Sequence, residues 1–252
     1  DFDAEDVLGN GMSQQCYNGT NNIYWDRWPE LRQCRFFLGV GDGAAANIGS
    51  KCGTRSPCNH DRRRIAVTIG TSAAARLCLP HHIDISSNQS DIVVPFGLFC
   101  YRVDRSNILL GGALTDGGSV IEWARSLLNL QPSESFERCL EKVATIYGAR
   151  CASSSSLPPA GVCMLPFLGG ERSTGFRVGA SGCLSGITRE TTPADIMYAC
   201  LESVTLRLCA IIKLLTNVDS DGEGEPVLVT SGNALERNQL WRQMLSDCSG
   251  IE

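Results

Sequence analysis

No apolar run in this sequence approaches the ~18–20 residues needed to cross a bilayer, so no membrane-spanning helix is expected. Positive charge is scarce too. Lys and Arg number 22 against 27 Asp and Glu, giving a net charge of −5, which argues against a generally basic nucleic-acid surface. There is no solenoid-period repeat and no charged-then-apolar leader after Asp1, so no signal peptide is expected. The patterns G-x-x-x-x-G-K-[ST], H-E-x-x-H and G-x-S-x-G are all missing, which removes the usual signatures of P-loop, zincin and α/β-hydrolase chemistry. The sequence holds 13 cysteines but no C-x-x-C pair. Many lie inside apolar runs (Cys78, Cys100, Cys163, Cys200, Cys209), which reads as buried free thiols acting as small hydrophobes in a reducing, cytoplasmic setting.

What remains is a globular composition. The chain has 252 residues, 43% hydrophobic and 19% charged. That excludes a disordered or collagen-like chain and allows one large domain or two small ones. Residues 1–35 are polar and Asn/Gly-rich and read as mid-protein text, the tail of a preceding domain or an interdomain segment. Residues 36–252 form the main domain, expected to be a fragment truncated at both ends.

Strand-like text lies at 36–40, 65–69, 98–103, 108–114, 162–167 and 227–230, and residues 75–79 suit a hairpin partner for the second of these. Residues 51–64 read as a surface loop, with Arg62, Arg63 and Arg64 solvated. Helical periodicity covers 44–48, 119–129, 136–147, 192–215 and 236–247. The clearest helix has Thr192 as N-cap, Pro193 at its first position and Asp195 in its first turn. Its expected buried stripe is Ile196, Cys200, Val204, Leu208, Ile211 and Leu215. In the 119–129 segment Val120, Trp123, Leu127 and Leu128 share the apolar face. Strands tipped by glycine turns and alternating with helices read as α/β.

The strongest local feature is a recurrence. Thr68-Ile69-Gly70-Thr71-Ser72, Thr115-Asp116-Gly117-Gly118-Ser119 and Thr230-Ser231-Gly232-Asn233 each end an apolar strand in a small turn carrying hydroxyl or amide groups. Glycine lets a backbone approach a ligand closely, and exposed N–H groups at such turns bind anions. The last two turns also open helices, whose dipoles favour phosphate. Together they suggest a nucleotide cradle.

Three other features compete. Gly39-Val40-Gly41-Asp42-Gly43-Ala44 formally matches a dinucleotide fingerprint, with Asp61 near the expected distance but no second strand leading to it. The alternative is that Asp42 itself, at the end of the 36–40 strand between glycines, is a catalytic base, or simply a turn residue. Cys52, Cys58 and His60, with His81 and His82, invite a zinc reading, but their spacing matches no standard pattern.

Read together, RWPEL (27–31), GVGDGAAANIGS (39–50), VTIGTSAAARL (67–77), LFCYRVDRSNILLGGALTDGGSVIEW (98–123), LPFLGGERSTGF (165–176), SGCLSGITRETTPADIMYACLESV (181–204) and VTSGNALERNQLWRQMLSD (229–247) resemble, in order, the carboxy-terminal domain of the FGGY family of carbohydrate kinases. The gluconokinase-like and xylulokinase-like branch is the nearest in flavour. The resemblance implies an actin-like, ribonuclease H-like domain, a mixed sheet flanked by helices. It implies ATP and Mg2+, and a small-molecule sugar or polyol as acceptor. It further implies an amino-terminal kinase domain, absent from this sequence, that closes over the same site. No nucleic acid and no membrane are expected as partners.

By the same resemblance Asp42 is the general base. Gly70 and Thr71, with Ser72 adjacent, contact ATP phosphates. Gly118 and Glu122 lie along the nucleotide, and Gly232 with Asn233 holds its adenosine side. Cys200 and Asn233 depart from the family pattern; Asn233 stands where a second glycine is usual. A non-catalytic remnant that binds nucleotide or a partner is the other reading.

Overall fold

The computed structural model describes residues 27, 28, 30, 41–53, 63–80, 93–104, 107–152, 161–218 and 225–252. The expected strand at 36–40, Asp61, and Cys58, His60, His81 and His82 of the zinc reading lie outside the described residues.

Among the described residues, five strands form one sheet. β1 (Arg64–Ile69) and β2 (Ala73–Pro80) are a hairpin, followed by β3 (Phe99–Arg102) and β4 (Asn107–Leu114). A two-stranded ribbon of β5 (Cys163–Leu165) and β6 (Cys183–Ser185) comes next, and β7 (Val227–Ser231) returns to the main sheet. The order is β3-β4-β2-β1-β7. All neighbours are antiparallel except β1 and β7, which run parallel. β2 is antiparallel to both β1 and β4, so β1, β4 and β7 all point the same way. Their carboxyl ends open on one edge, the place where ligands bind in open α/β sheets.

The helices are α1 (Asp42–Gly49), α2 (Gly118–Leu127), α3 (Ser133–Ala152), α4 (Pro193–Val218), α5 (Asn233–Arg237) and α6 (Gln239–Ser249). Alternation along the strands sends neighbouring side chains to opposite faces. Ile65, Val67, Ile69, Ala75, Leu77 and Leu110 join the main core with α2, α4 and α6. The intervening residues of β2 face α1.

α4 is the spine of the core. Thr192 and Asp195 bond reciprocally at its start, the Asp195 carboxylate accepting from the Thr192 N–H at 2.8 Å and the Thr192 hydroxyl from the Asp195 N–H at 3.4 Å. This satisfies donors that the first turn would otherwise leave open. The buried surface is wider than the expected stripe: Met197, Tyr198, Leu201 and Ile212 are buried beside Cys200, Val204, Leu208, Ile211 and Leu215, while Ile196 is only partly so. Trp241 of α6 inserts against it, donating its ring N–H to Thr205 Oγ1 at 3.0 Å; Thr205 in turn donates to the Leu201 carbonyl at 2.8 Å.

Several expectations need correction. The expected helix at 236–247 is two helices, because Asn238 accepts from the Trp241 N–H at 3.0 Å and caps α6. α3 is longer than 136–147, and β6 is a strand that the sequence reading did not assign. Leu127 is exposed, with 59% of its surface open. Arg64 opens β1, and Arg63 is partly buried with its carbonyl accepting from Val227 N–H, so neither is simply solvated loop. Cys78 and Cys200 are buried, but Cys100 and Cys163 are exposed because they stand on an edge strand and on the small ribbon. Among the described residues no helix is long and apolar enough to cross a membrane.

Candidate functional site

The three glycine turns meet at the common edge of the sheet. Gly118 N–H donates to the Gly70 carbonyl at 2.8 Å, and Gly117 N–H to the Thr71 carbonyl at 2.8 Å. Thr68 and Ser231, at the ends of β1 and β7, share a hydroxyl hydrogen bond of 2.9 Å. A Cβ placed on Gly118 would lie 2.7 Å from the Gly70 oxygen and 3.8 Å from Ala234 Cβ, so all three turns touch. Gly232 has φ +97°, and a Cβ there would run into the Ile69 carbonyl. Glycine is required at that point on both counts.

These bonds also redistribute the donors. The first donors of α2 are spent on the β1–β2 turn, since Gly117, Gly118 and Ser119 all bond to Gly70 or Thr71. The expectation that α2 offers its open end to phosphate is therefore corrected. Among the described residues, the N–H groups of Thr71 and Ser72 make no hydrogen bond, and Gly70, Thr71 and Ser72 are exposed. A Cβ on Gly70 would meet only the Ser72 carbonyl, at 4.0 Å, so this turn faces open space. The anion-accepting part of the site is thus the β1–β2 turn.

Glu122 stands four residues, one helical turn, after Gly118 and so shares its face. It is exposed and 3.7 Å from Arg125. Asn233 is exposed at the first position of α5, beside Gly232.

Asp42 is the first residue of α1. Its carboxylate accepts from the Gly43 N–H at 2.6 Å and is exposed. α1 lies against β2, the strand that leaves the Gly70–Ser72 turn. It does so closely: a Cβ on Gly43 would lie 2.7 Å from the Tyr101 hydroxyl and 3.0 Å from Arg76 Nε. Burial pushes the Tyr101 hydroxyl above its ordinary value; Arg76 opposes the shift and the Asp42 charge adds to it. Asp42, Arg76 and Tyr101 therefore form one electrostatic group. The structure brings Gly70, Thr71, Ser72, Gly118 and Gly232 together at the edge, and sets Asp42 on the sheet face beside β2.

Sequence reasoning passed over Asp116, Glu171 and Arg207. The Asp116 carboxylate accepts from Gly169 N–H at 2.6 Å and from the Ser119 hydroxyl at 2.9 Å, tying the 166–173 loop to the β4–α2 turn. Glu171 is 8% exposed and paired with Arg207, which also donates to the Ser173 carbonyl at 3.0 Å. A small cleft between loop and turn is lined by Asp116, Phe167, Glu171 and Arg207. The signal available was an acid–base pair, Glu171-Arg172, directly after two glycines. Among the described residues no cluster of three metal-ligating side chains occurs.

The model of the FGGY family of carbohydrate kinases, C-terminal domain, matches residues 50–252. Asp42 lies upstream of that span. A gluconokinase from Bacillus subtilis is 29% identical over 215 residues, which is 84% of this chain and 38% of the relative. A xylulose kinase from Klebsiella pneumoniae is 29% identical over 163 residues, 61% of this chain and 28% of the relative. Gluconate kinase from Lactobacillus acidophilus superposes with a TM-score of 0.63 at 23% identity, over 91% of this chain and 41% of that one. Plasmodium falciparum glycerol kinase with ADP gives 0.60 at 22% identity, over 84% and 37%. The chain thus covers between 28% and 41% of the length of these relatives, and the solved structures share its fold, a mixed sheet flanked by helices.

Proposed function

The chain belongs to the FGGY family of carbohydrate kinases, and from that premise we propose that it supplies the nucleotide-binding half and the general base of an ATP-dependent kinase acting on a sugar or sugar-acid hydroxyl. The observation that carries the reading is the meeting of the Gly70–Ser72, Gly117–Ser119 and Gly232–Asn233 turns at one sheet edge, with the Thr71 and Ser72 donors open.

That edge fits a triphosphate. Beside Gly70, where a Cβ would meet open space, Thr71 and Ser72 offer backbone N–H and hydroxyl donors, a type of concavity that binds anions. Glu122 and Asn233 flank the rest of the nucleotide. Magnesium is bound largely through substrate phosphates and water rather than by an all-protein cage, which suits a site where Asp116, next to the Gly117–Ser119 turn, is a carboxylate within the turn cluster. When bound, Mg2+ neutralises charge on the transferring group.

Phosphoryl transfer asks the protein for positioning and charge stabilisation rather than covalent chemistry. Asp42 takes the proton of the attacking hydroxyl, the γ-phosphoryl group passes to that oxygen, and ADP leaves. The exposed Asp42 carboxylate has a free oxygen for this, since one oxygen accepts from Gly43 N–H. A partner domain of the kind found in two-domain kinases brings the acceptor to α1.

Two measurements on the full-length protein test the reading: ATP titration by calorimetry and a coupled assay of ADP release with gluconate, xylulose and glycerol. ATP binding with sugar-dependent ADP release is expected. ATP binding without release from any acceptor favours a nucleotide-binding remnant, the reading to which Asn233 lends support. Absence of both discards the proposal.

A further inference from the structure

β2 is apolar apart from one residue. Its sequence runs Ala-Ala-Ala-Arg-Leu-Cys-Leu-Pro from Ala73, and Arg76 sits at its centre, in register with Ala66 of β1 and Gly111 of β4. Arg76 is half-buried on the face that packs against α1. Its Nε is buried and has no hydrogen-bond acceptor. No ion pair of Arg76 occurs among the described residues.

Arg63 Nε and Arg207 Nε lack acceptors too, but other half-buried arginines carry partners on the rest of the guanidinium. Arg150 has Glu202 and the Tyr198 ring, Arg207 has Glu171 and the Ser173 carbonyl, and Arg125 has the carbonyls of Leu130 and Gln131. A guanidinium stays charged at any pH the protein meets, and leaving one without acceptors in a partly dry site is unfavourable. Asp42 is close enough to be felt in the same group but does not pair with it, and the Tyr101 hydroxyl adds a donor rather than an acceptor of comparable strength. An anion with planar acceptors, a carboxylate above all, is the group that a guanidinium fork fits best.

We propose that Arg76 selects the acceptor: it receives the carboxylate of an acidic sugar whose reactive hydroxyl lies on Asp42. This rests on the reading of Asp42 as the base. Position favours the acceptor's carboxylate over the nucleotide's phosphates. Arg76 is three residues into β2, ~10 Å along the strand from the Gly70–Ser72 turn, and it points to the face of α1 rather than to the sheet edge. Ala66 and Gly111 flank it on the neighbouring strands, with the Phe99 ring over Gly111.

The test uses the full-length protein with D-gluconate, xylulose and ATP as probes, in wild type, Arg76→Met, Arg76→Lys and Asp42→Asn. Replacing an unpaired half-buried charge by an apolar side chain of similar length does not threaten folding, and thermal melting checks this. The ratio of kcat/KM for gluconate over xylulose is expected to fall roughly 10- to 100-fold in Arg76→Met, the size of a lost charged hydrogen bond. The loss should appear in KM, and Arg76→Lys should restore part of it. Calorimetry of gluconate binding should show the same loss in Arg76→Met but not in Asp42→Asn, whether or not turnover occurs. That separates this inference from the kinase reading, which the wild-type ADP-release assay decides. A wild type that binds no gluconate, an unchanged selectivity ratio, or weakened ATP binding with gluconate binding intact each overturns it.

Discussion

Gly118 and Gly70 are held face to face. The Gly118 N–H donates to the Gly70 carbonyl at 2.8 Å, and any Cβ on Gly118 would stand 2.7 Å from that same oxygen. The obstructing atom is backbone, so it cannot swing aside. Gly118→Val should therefore push α2 away from the β1–β2 turn and weaken ATP binding at least tenfold, because the Thr71 and Ser72 donors would lose their fixed direction. Gly53→Ala, at a position where a Cβ meets nothing within 4 Å, is the control. Calorimetric titration of both variants checks the contrast; equal affinities would show that the turn contact does not shape the site.

Asp42→Asn removes the base but keeps the hydrogen bond that the side-chain oxygen accepts from Gly43 N–H. Turnover in the full-length protein should fall by ~10²–10⁴-fold, the usual contribution of general-base help. ATP affinity should hold, because Asp42 makes no bond to the glycine turns. Near-normal turnover would remove Asp42 from the mechanism. A joint loss of turnover and ATP binding would mean that α1 is a structural support for the nucleotide site.

How far the sequence reveals this architecture depends on how local the determining forces are. The three turns were legible because an apolar run, a glycine and a hydroxyl within five residues already encode the strand end and the bend. The start of α4 was legible for the same reason, since Thr192 and Asp195 cap it by themselves. Asn238 was not: in the middle of a helical pattern it reads as a polar surface position, and only its bond to Trp241 N–H makes it a cap. Asp42 opens α1, and the 36–40 strand expected to lead to it lies outside the described residues. In sequence Arg76 is one charged residue inside an apolar run. Its isolation becomes visible only once α1 is folded over it.

The Glu171–Arg207 pair joins the loop after β5 to the spine helix. Removing one partner of a buried pair leaves an uncompensated charge and typically costs about 3–5 kcal/mol. Glu171→Leu should fall in that range by urea unfolding, since Arg207 Nε already lacks a partner. Arg207→Met alone should be similarly harmful. The double variant should recover most of the loss, because two apolar side chains of similar volume carry no desolvation penalty. An additive double variant would show that the two side chains act independently.

Burial also makes the fold sensitive to alkali. The Cys200 thiol is pushed from 9.0 up to about 12 by burial alone, and Cys209 to about 12 by burial with the neighbouring Cys248 charge adding to it. In the unfolded chain these thiols ionise near 9, whereas in the folded protein they hold their protons until about 12. Between those values the unfolded state binds fewer protons, so stability falls as pH rises. The contribution is whole below pH 9 and is lost as pH climbs from 9 through 12, at up to about 1.4 kcal/mol per pH unit for each thiol. Urea unfolding at a series of alkaline pH values should show a plateau and then this decline. Cys200→Ala, whatever its effect at neutral pH, should reduce the slope above pH 9. An unchanged slope would mean that Cys200 reaches water in the folded state, and alkylation followed by mass spectrometry would then find it labelled as readily as exposed Cys163 and Cys183.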